Sequence, residues 1–91
     1  MLRIKVLGAH CFNCVWLEQT VREVLDEMTL SLPCELVHVT DAFEVASYGV
    51  LRLPALVINE RVMCAGRLPT REQIAAWIRD AQETAARAAG T

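Results

Sequence analysis

The first residues alternate between apolar and polar side chains, which is the period of a half-buried β-strand. Leu7 and Gly8 end this pattern. From Cys14 onward the period changes, and apolar residues recur at the spacing of an amphipathic helix over about residues 12–29. Pro33 prevents that helix from continuing, because proline lacks the backbone N–H that a helix interior needs. The apolar positions are Leu2, Ile4 and Val6 in the strand and Leu17, Val21, Val24, Leu25 and Met28 in the helix.

The middle of the chain predicts a second strand and a short second helix. Residues 35–39 are rich in Val and Leu and favour a strand. Asp41 stands three residues before Glu44, a spacing typical of a capping box at a helix start. We therefore expect a helix over about residues 42–48, ended by Gly49.

The last third predicts a β-hairpin followed by a long helix. Strands at 55–58 and 61–65 are separated by Asn59-Glu60, and asparagine tolerates the positive φ of a tight turn although glutamate suits it poorly. Thr70 and Gln73 form a second capping box, which opens the final helix.

The element order is strand, helix, strand, helix, strand, strand, helix. The first half is a βαβ unit, which predicts parallel strands joined by a right-handed crossover. The hairpin cannot add two parallel strands, so we expect an α/β fold with a mixed four-stranded sheet and helices on both faces. With 91 residues the chain suits one domain, over residues 1–82. Residues 83–91 are predicted to be a fraying helix end or tail.

Charge and hydropathy exclude several classes of partner. The net charge of −2 leaves no basic stripe for nucleic acid. No apolar run approaches the roughly 18 residues of a membrane span. The N-terminal segment reads as a strand and has no signal-peptide pattern, so a cytoplasmic location is the expectation. Cys34 and Cys64 fit small apolar core positions, and structural disulfides are not expected.

Cys11-Phe12-Asn13-Cys14 is the motif that carries candidate chemistry. It lies between the first strand and the first helix, where free N–H groups and the helix dipole stabilise a thiolate. A pair at this spacing fits either a dithiol–disulfide couple or a soft metal ion. His10 adjoins Cys11 and is a candidate for tuning the pKa of its thiol.

These features resemble the thioredoxin/glutaredoxin superfamily in its minimal form, and in particular the small prokaryotic thioredoxin-like redox proteins. The resemblance covers about residues 1–80. It lies in the cysteine motif at 11–14, in Leu53-Pro54-Ala55-Leu56 at the start of the third strand, in the hairpin that ends at Gly66, and in the terminal helix.

The resemblance implies a thiol–disulfide oxidoreductase or electron carrier without a cofactor or metal. Cys11 would be the exposed attacking thiolate and Cys14 the buried resolving thiol. Pro54 would be cis, and the backbone of Leu53 would pair with a substrate chain. The implied partner is a protein disulfide substrate or an upstream reductase. Gly66 is a partial match to the glycines with which glutaredoxins hold glutathione, so glutathione is a further, weakly supported partner. Phe12 itself fits either an apolar docking surface for the substrate or packing against the Pro54 loop.

The sequence also departs from the best-known members. Phe12-Asn13 replaces their Gly-Pro or Pro-Tyr, and the first strand has no carboxylate where thioredoxin keeps a buried proton acceptor. Two alternatives stay open. One is a soft-metal module for Cu(I) or zinc, since the segment 6–25 also resembles heavy-metal-associated domains. The other is a non-catalytic interaction domain on the same fold.

Overall fold

The computed structural model describes residues 2–8, 12–28 and 33–89. The elements follow the predicted order, and the bounds of both hairpin strands agree with those read from the sequence. They are β1 (Leu2–Leu7), α1 (Phe12–Glu27), β2 (Cys34–Val39), α2 (Ala42–Ser47), β3 (Ala55–Ile58), β4 (Arg61–Ala65) and α3 (Arg71–Ala89).

The four strands form one mixed sheet in the order β2-β1-β3-β4. β1 and β2 are parallel, with Val6 opposite His38. β3 runs antiparallel to β1 and to β4. The predicted α/β fold is confirmed as a minimal thioredoxin-like fold with three helices and a four-stranded mixed sheet.

The helices cover the two sheet faces unequally. α1 and α3 pack together on one face, where the main apolar core lies, while α2 lies on the other face beside a smaller cluster. The main core consists of Leu2, Ile4, Val6, Leu17, Val21, Val24, Leu56, Ile58, Cys64, Ile74 and Ile78. The smaller cluster consists of Leu7, Val39, Ala55 and Val57.

One of the two predicted capping boxes forms in full. At the start of α3, the Gln73 N–H donates to Thr70 Oγ1 at 3.1 Å and the Thr70 N–H donates to Gln73 Oε1 at 3.0 Å. At α2 the prediction was wrong in detail, because Asp41 accepts from the Phe43 N–H at 2.8 Å. Glu44 does not return the bond, since its carboxylate lies 3.8 Å from Lys5 Nζ on β1.

The hairpin turn forms at Asn59-Glu60, and both residues have positive φ, 49° and 67°. Side-chain contacts explain why glutamate is accepted there. Glu60 binds Lys5 Nζ at 3.2 Å and accepts from the Tyr48 hydroxyl at 3.1 Å. Asn59 joins the turn to β1, because its Oδ1 accepts from the Arg3 N–H at 2.9 Å.

The last helix continues to Ala89 within the described residues. The proposed boundary at residue 82 therefore lies inside one continuous helix, and a fraying tail after it stays a prediction. In the described ranges, none of the helices combines the length and the apolarity needed to cross a bilayer.

Candidate active site

Three segments meet at one end of the sheet: the end of β1, the first turn of α1 and the loop before β3. Gly8, the residue after β1, lies between the first turn of α1 and the loop before β3. A Cβ added to Gly8 would contact both Cys14 Sγ and Leu53 Cβ. The parallel β1–α1–β2 crossover produces this arrangement, because it directs the start of α1 toward the carboxyl end of β1. The site is therefore formed by the strand end, the helix start and the loop together.

Cys14 lies in the first turn of α1 and is fully buried. A Cβ on Gly8 would lie 2.5 Å from its sulfur, a distance that real Cβ atoms do not show. Gly8 also has a φ of 142°, which L side chains rarely adopt. Glycine at position 8 is thus what allows the Cys14 sulfur to approach the backbone of β1 so closely.

The loop before β3 provides the second wall of the site. The Leu53–Pro54 peptide bond is cis. Pro54 is buried, whereas Leu53 is 46% exposed. The Pro54 carbonyl accepts from the Gly66 N–H at 2.9 Å, which ties this loop to the end of the hairpin.

Gly66 is required at its position for a separate steric reason. It has a φ of 78°, and an added Cβ would lie 2.6 Å from Arg52 Cβ. The Arg52 side chain therefore packs directly against the Gly66 backbone. The hydrogen bond from its N–H to the Pro54 carbonyl places Gly66 next to the site. Its role in binding a substrate stays a prediction.

Exposed apolar side chains flank the first turn of α1. Phe12 is 83% exposed, and Trp16, one turn further along the helix, is 37% exposed. Trp16 is therefore not part of the buried core. Phe12 is accessible to a partner, as a docking residue has to be.

His10 and Cys11 lie outside the described residues, so their roles as pKa-tuning group and attacking thiolate remain predictions. The other two cysteines fit the predicted core positions. Cys64 is buried and Cys34 is partly buried against the main core, and burial raises the pKa of both thiols. Among the described residues, no three His, Cys, Asp or Glu side chains group in a way that would hold a metal ion.

His38 is a residue at this end of the sheet that sequence reasoning missed. It lies on β2 with its side chain only 7% exposed, and Nε2 is 3.0 Å from the Gly8 carbonyl oxygen. Its Nδ1 is 3.5 Å from Glu18 Oε2, on the turn of α1 that follows Cys14. A histidine inside a Val- and Leu-rich strand was the available signal, since an apolar strand face rarely accepts an ionisable ring.

The β2-β1-β3-β4 sheet, the buried cysteine in the first turn of α1 and the X-Pro before β3 define a thioredoxin-like protein. The thioredoxin domain family model matches residues 2–79, and the chain therefore belongs to that family. The chain is also similar to a thioredoxin of Methanothermobacter thermautotrophicus. The two are 28% identical over 74 residues, which covers 81% of this chain and 94% of that relative.

Proposed function

We propose that this protein is a thiol–disulfide oxidoreductase, or an electron carrier, that works through Cys11 and Cys14. The observation that carries the proposal is the position of Cys14, buried in the first turn of α1 with its sulfur against Gly8. Membership of the thioredoxin domain family supports a redox role. Cys11 precedes α1 directly, where helix N–H groups and the dipole stabilise a thiolate.

The reaction begins when the Cys11 thiolate attacks one sulfur of a partner's disulfide. The partner's S–S bond breaks, a mixed disulfide with Cys11 forms, and the partner's other sulfur leaves as a thiolate. Cys14 then loses its proton and attacks Cys11 Sγ, which releases the second partner thiolate. Two electrons have passed to the partner, whose thiolates take up two protons, and a Cys11–Cys14 disulfide remains. A dithiol reductant restores the starting state.

Burial of Cys14 suits the resolving role. A thiol shielded from solvent does not compete for the partner's disulfide, and only two residues separate it in the sequence from the cysteine that it has to attack. The half-exposed Leu53 and the exposed Phe12 flank the motif and suit an extended protein segment as the partner. We infer that the Leu53 backbone pairs with this segment as an added strand.

The test is insulin reduction with a dithiol donor, comparing the wild type with Cys11→Ser, Cys14→Ser and Cys34→Ser. Cys34 is a matched control because it pairs with Leu2, at the far end of β1 from Gly8. We expect Cys11→Ser to fall to the rate of the donor alone. Cys14→Ser accumulates a mixed disulfide through Cys11, which mass spectrometry detects, and Cys34→Ser retains the wild-type rate.

Equal rates for the wild type and Cys11→Ser would refute this function. A mixed disulfide through Cys14 in the Cys11→Ser variant, at the wild-type rate of formation, would instead reverse the two roles.

A further inference from the structure

The His38 side chain, on β2, contacts both the residue that follows β1 and the helix α1. It projects from β2 on the face covered by α1, as does Val6, its neighbour across the parallel pair. Its Nε2 lies 3.0 Å from the carbonyl oxygen of Gly8, the residue after β1, and its Nδ1 lies 3.5 Å from Glu18 on α1. Its contacts therefore lie on both sides of residues 9–11, the connection that contains Cys11.

Gly8 is held by β2 through both of its backbone polar groups. Its N–H donates to the Val39 carbonyl at 3.0 Å, and its carbonyl lies 3.0 Å from His38 Nε2. A carbonyl only accepts hydrogen bonds, so Nε2 is the nitrogen that carries the proton in this contact. The orientation of the Gly8 peptide therefore depends on a histidine thirty residues away in the sequence.

Gly8 in turn contacts the Cys14 sulfur, which lies 2.5 Å from the point that a Cβ of residue 8 would occupy. Glu18 follows Cys14 by one helical turn, so both residues lie on the same face of α1. The contacts run from His38 to Gly8, from Gly8 to Cys14, and along α1 to Glu18, which faces His38 again. A shift of the ring thus displaces the surface against which the Cys14 sulfur packs.

We propose that His38 is a positioning residue for the cysteine pair. It donates from Nε2 to the Gly8 carbonyl, and Glu18 attracts the Nδ1 side of the ring when that nitrogen carries a proton as well. In this way His38 holds the Cys14 sulfur where it closes a disulfide with Cys11. This inference rests on the redox function proposed above. A fixed geometry raises the effective concentration of one thiol toward the other, so the contact favours the disulfide over the dithiol.

The test is the equilibrium of the Cys11–Cys14 pair with dithiothreitol buffers, measured in full-length His38→Leu and His38→Gln. Leucine removes the donor to Gly8, whereas the Gln side-chain NH₂ is able to replace Nε2. We expect His38→Leu to lower the disulfide-forming equilibrium constant about fivefold, the factor that corresponds to one hydrogen bond. His38→Gln restores most of the wild-type value, a rescue that loss of packing alone would not produce.

A second pair of variants addresses the ring orientation without touching His38. Glu18→Gln removes the carboxylate that faces Nδ1, and Asp26→Asn removes one negative charge from an exposed position on the same helix. Glu18→Gln is expected to lower the same equilibrium constant about twofold, within the range of a weak charged contact. Asp26→Asn leaves it unchanged. In ¹⁵N spectra of the wild type, the His38 Nε2–H resonance is expected to move when the pair is reduced.

Three outcomes would overturn the positioning role. The first is an unchanged equilibrium constant in folded His38→Leu, and the second is an equal loss in His38→Leu and His38→Gln. If His38→Leu fails to fold, an Nε2–H resonance that does not move on reduction in the wild type overturns it. Failure of the redox function itself is distinguishable, because the wild type would then form no Cys11–Cys14 disulfide in any of the buffers.

Discussion

The two faces of the sheet differ in how they are built. Within the described part of the chain, the face under α1 and α3 has an apolar core of eleven buried residues, whereas the α2 face has four. α2 itself has no buried residue, and its Phe43 is 89% exposed. On the α2 face, Lys5 Nζ lies 2.7 Å from the Tyr48 hydroxyl and 3.2 Å from Glu60.

The comparison shows that stability and chemistry are concentrated on the same face. Cys14 lies in the first turn of α1, and His38, on the face covered by that helix, contacts the Gly8 carbonyl. A rigid support is what a site needs when two sulfur atoms have to meet in a defined geometry. The α2 face has only the smaller apolar cluster and the polar contacts of Lys5 with Tyr48 and Glu60, so substitutions of its exposed side chains are expected to have smaller consequences.

The largest difference is expected from Leu17→Ala on α1 compared with Phe43→Ala on α2. Leu17 is fully buried, so its truncation leaves a cavity and lowers the free energy of unfolding by about 2–5 kcal/mol. Phe43 is exposed, and its truncation changes that free energy by less than about 0.5 kcal/mol. Urea denaturation followed by circular dichroism measures both. Similar losses in the two variants would mean that the faces contribute equally.

Two glycine substitutions test the contact under the cysteine. Gly8→Ala places a Cβ 2.5 Å from Cys14 Sγ, whereas Gly49→Ala, next to α2, meets no atom within 4 Å. Both glycines have positive φ, but the φ of 72° at Gly49 lies at the edge of the left-handed region that L-residues can adopt, whereas the φ of 142° at Gly8 lies far outside it. We expect Gly8→Ala to cost about 1–3 kcal/mol more than Gly49→Ala in denaturant unfolding, because overpacking and the less accessible backbone add to each other. Gly8→Ala also changes the redox equilibrium of the cysteine pair. Equal costs would contradict the close approach of the Cys14 sulfur to β1.

Helix caps provide a third comparison between the faces. Thr70 caps α3, which contributes Ile74 and Ile78 to the main core, while Asp41 caps the short α2. We expect Thr70→Ala to lower the free energy of unfolding by about 1 kcal/mol, a usual value for a lost N-cap. Asp41→Ala is expected to cost less, because fraying of α2 uncovers little apolar surface. Thermal unfolding ranks the two variants, and a larger loss for Asp41→Ala would reverse the argument.

The smallest effect is expected from Glu60, and it depends on pH. A hydrogen bond from Lys5, and a second from Tyr48, hold the pKa of the Glu60 carboxyl below its usual value. A carboxyl whose pKa is lower in the folded state stabilises that state above its unfolded pKa, about 4.3, and loses the effect as pH falls. The melting temperature of the wild type should therefore exceed that of Glu60→Gln near neutral pH.

In acid the two proteins should converge, because both then carry a neutral side chain at position 60. The matched control is Glu83→Gln, an exposed glutamate on α3. A difference between the wild type and Glu60→Gln that stays constant down to about pH 2, well below the usual glutamate range, would show that charge is not the cause.

Much of the fold is predictable because its signals are local. The alternation in β1, the helical period after Cys14 and the Thr70-Gln73 cap each predict an element that the structure contains. The bounds of β3 and β4 follow from the turn residues around them. Glu60 is the instructive exception, since its turn preference is poor and its long-range partner Lys5 is invisible to local reasoning.

The candidate site was predictable only where a motif marks it. Cys14 and the Leu53-Pro54 step follow from spacing and resemblance, but the contact between His38 and Gly8 depends on the register of two parallel strands. Periodicity indicates which side chains share a face of the sheet, but a shift of two residues keeps that face, so it does not determine which residues of β1 and β2 lie opposite each other. The ring contact with Glu18 further requires the rotation of α1 over the sheet, which only packing determines.

The edge strand β4 has one extra residue relative to β3, the strand with which it pairs. Cys64 lies opposite Leu56 and Val62 opposite Val57, so Met63 is the surplus residue of a β-bulge. A bulge bends the strand and makes the spacing of its outward N–H and C=O groups irregular. A second chain requires regular spacing to extend a sheet. We therefore expect this margin of the molecule to resist self-association into fibrous aggregates.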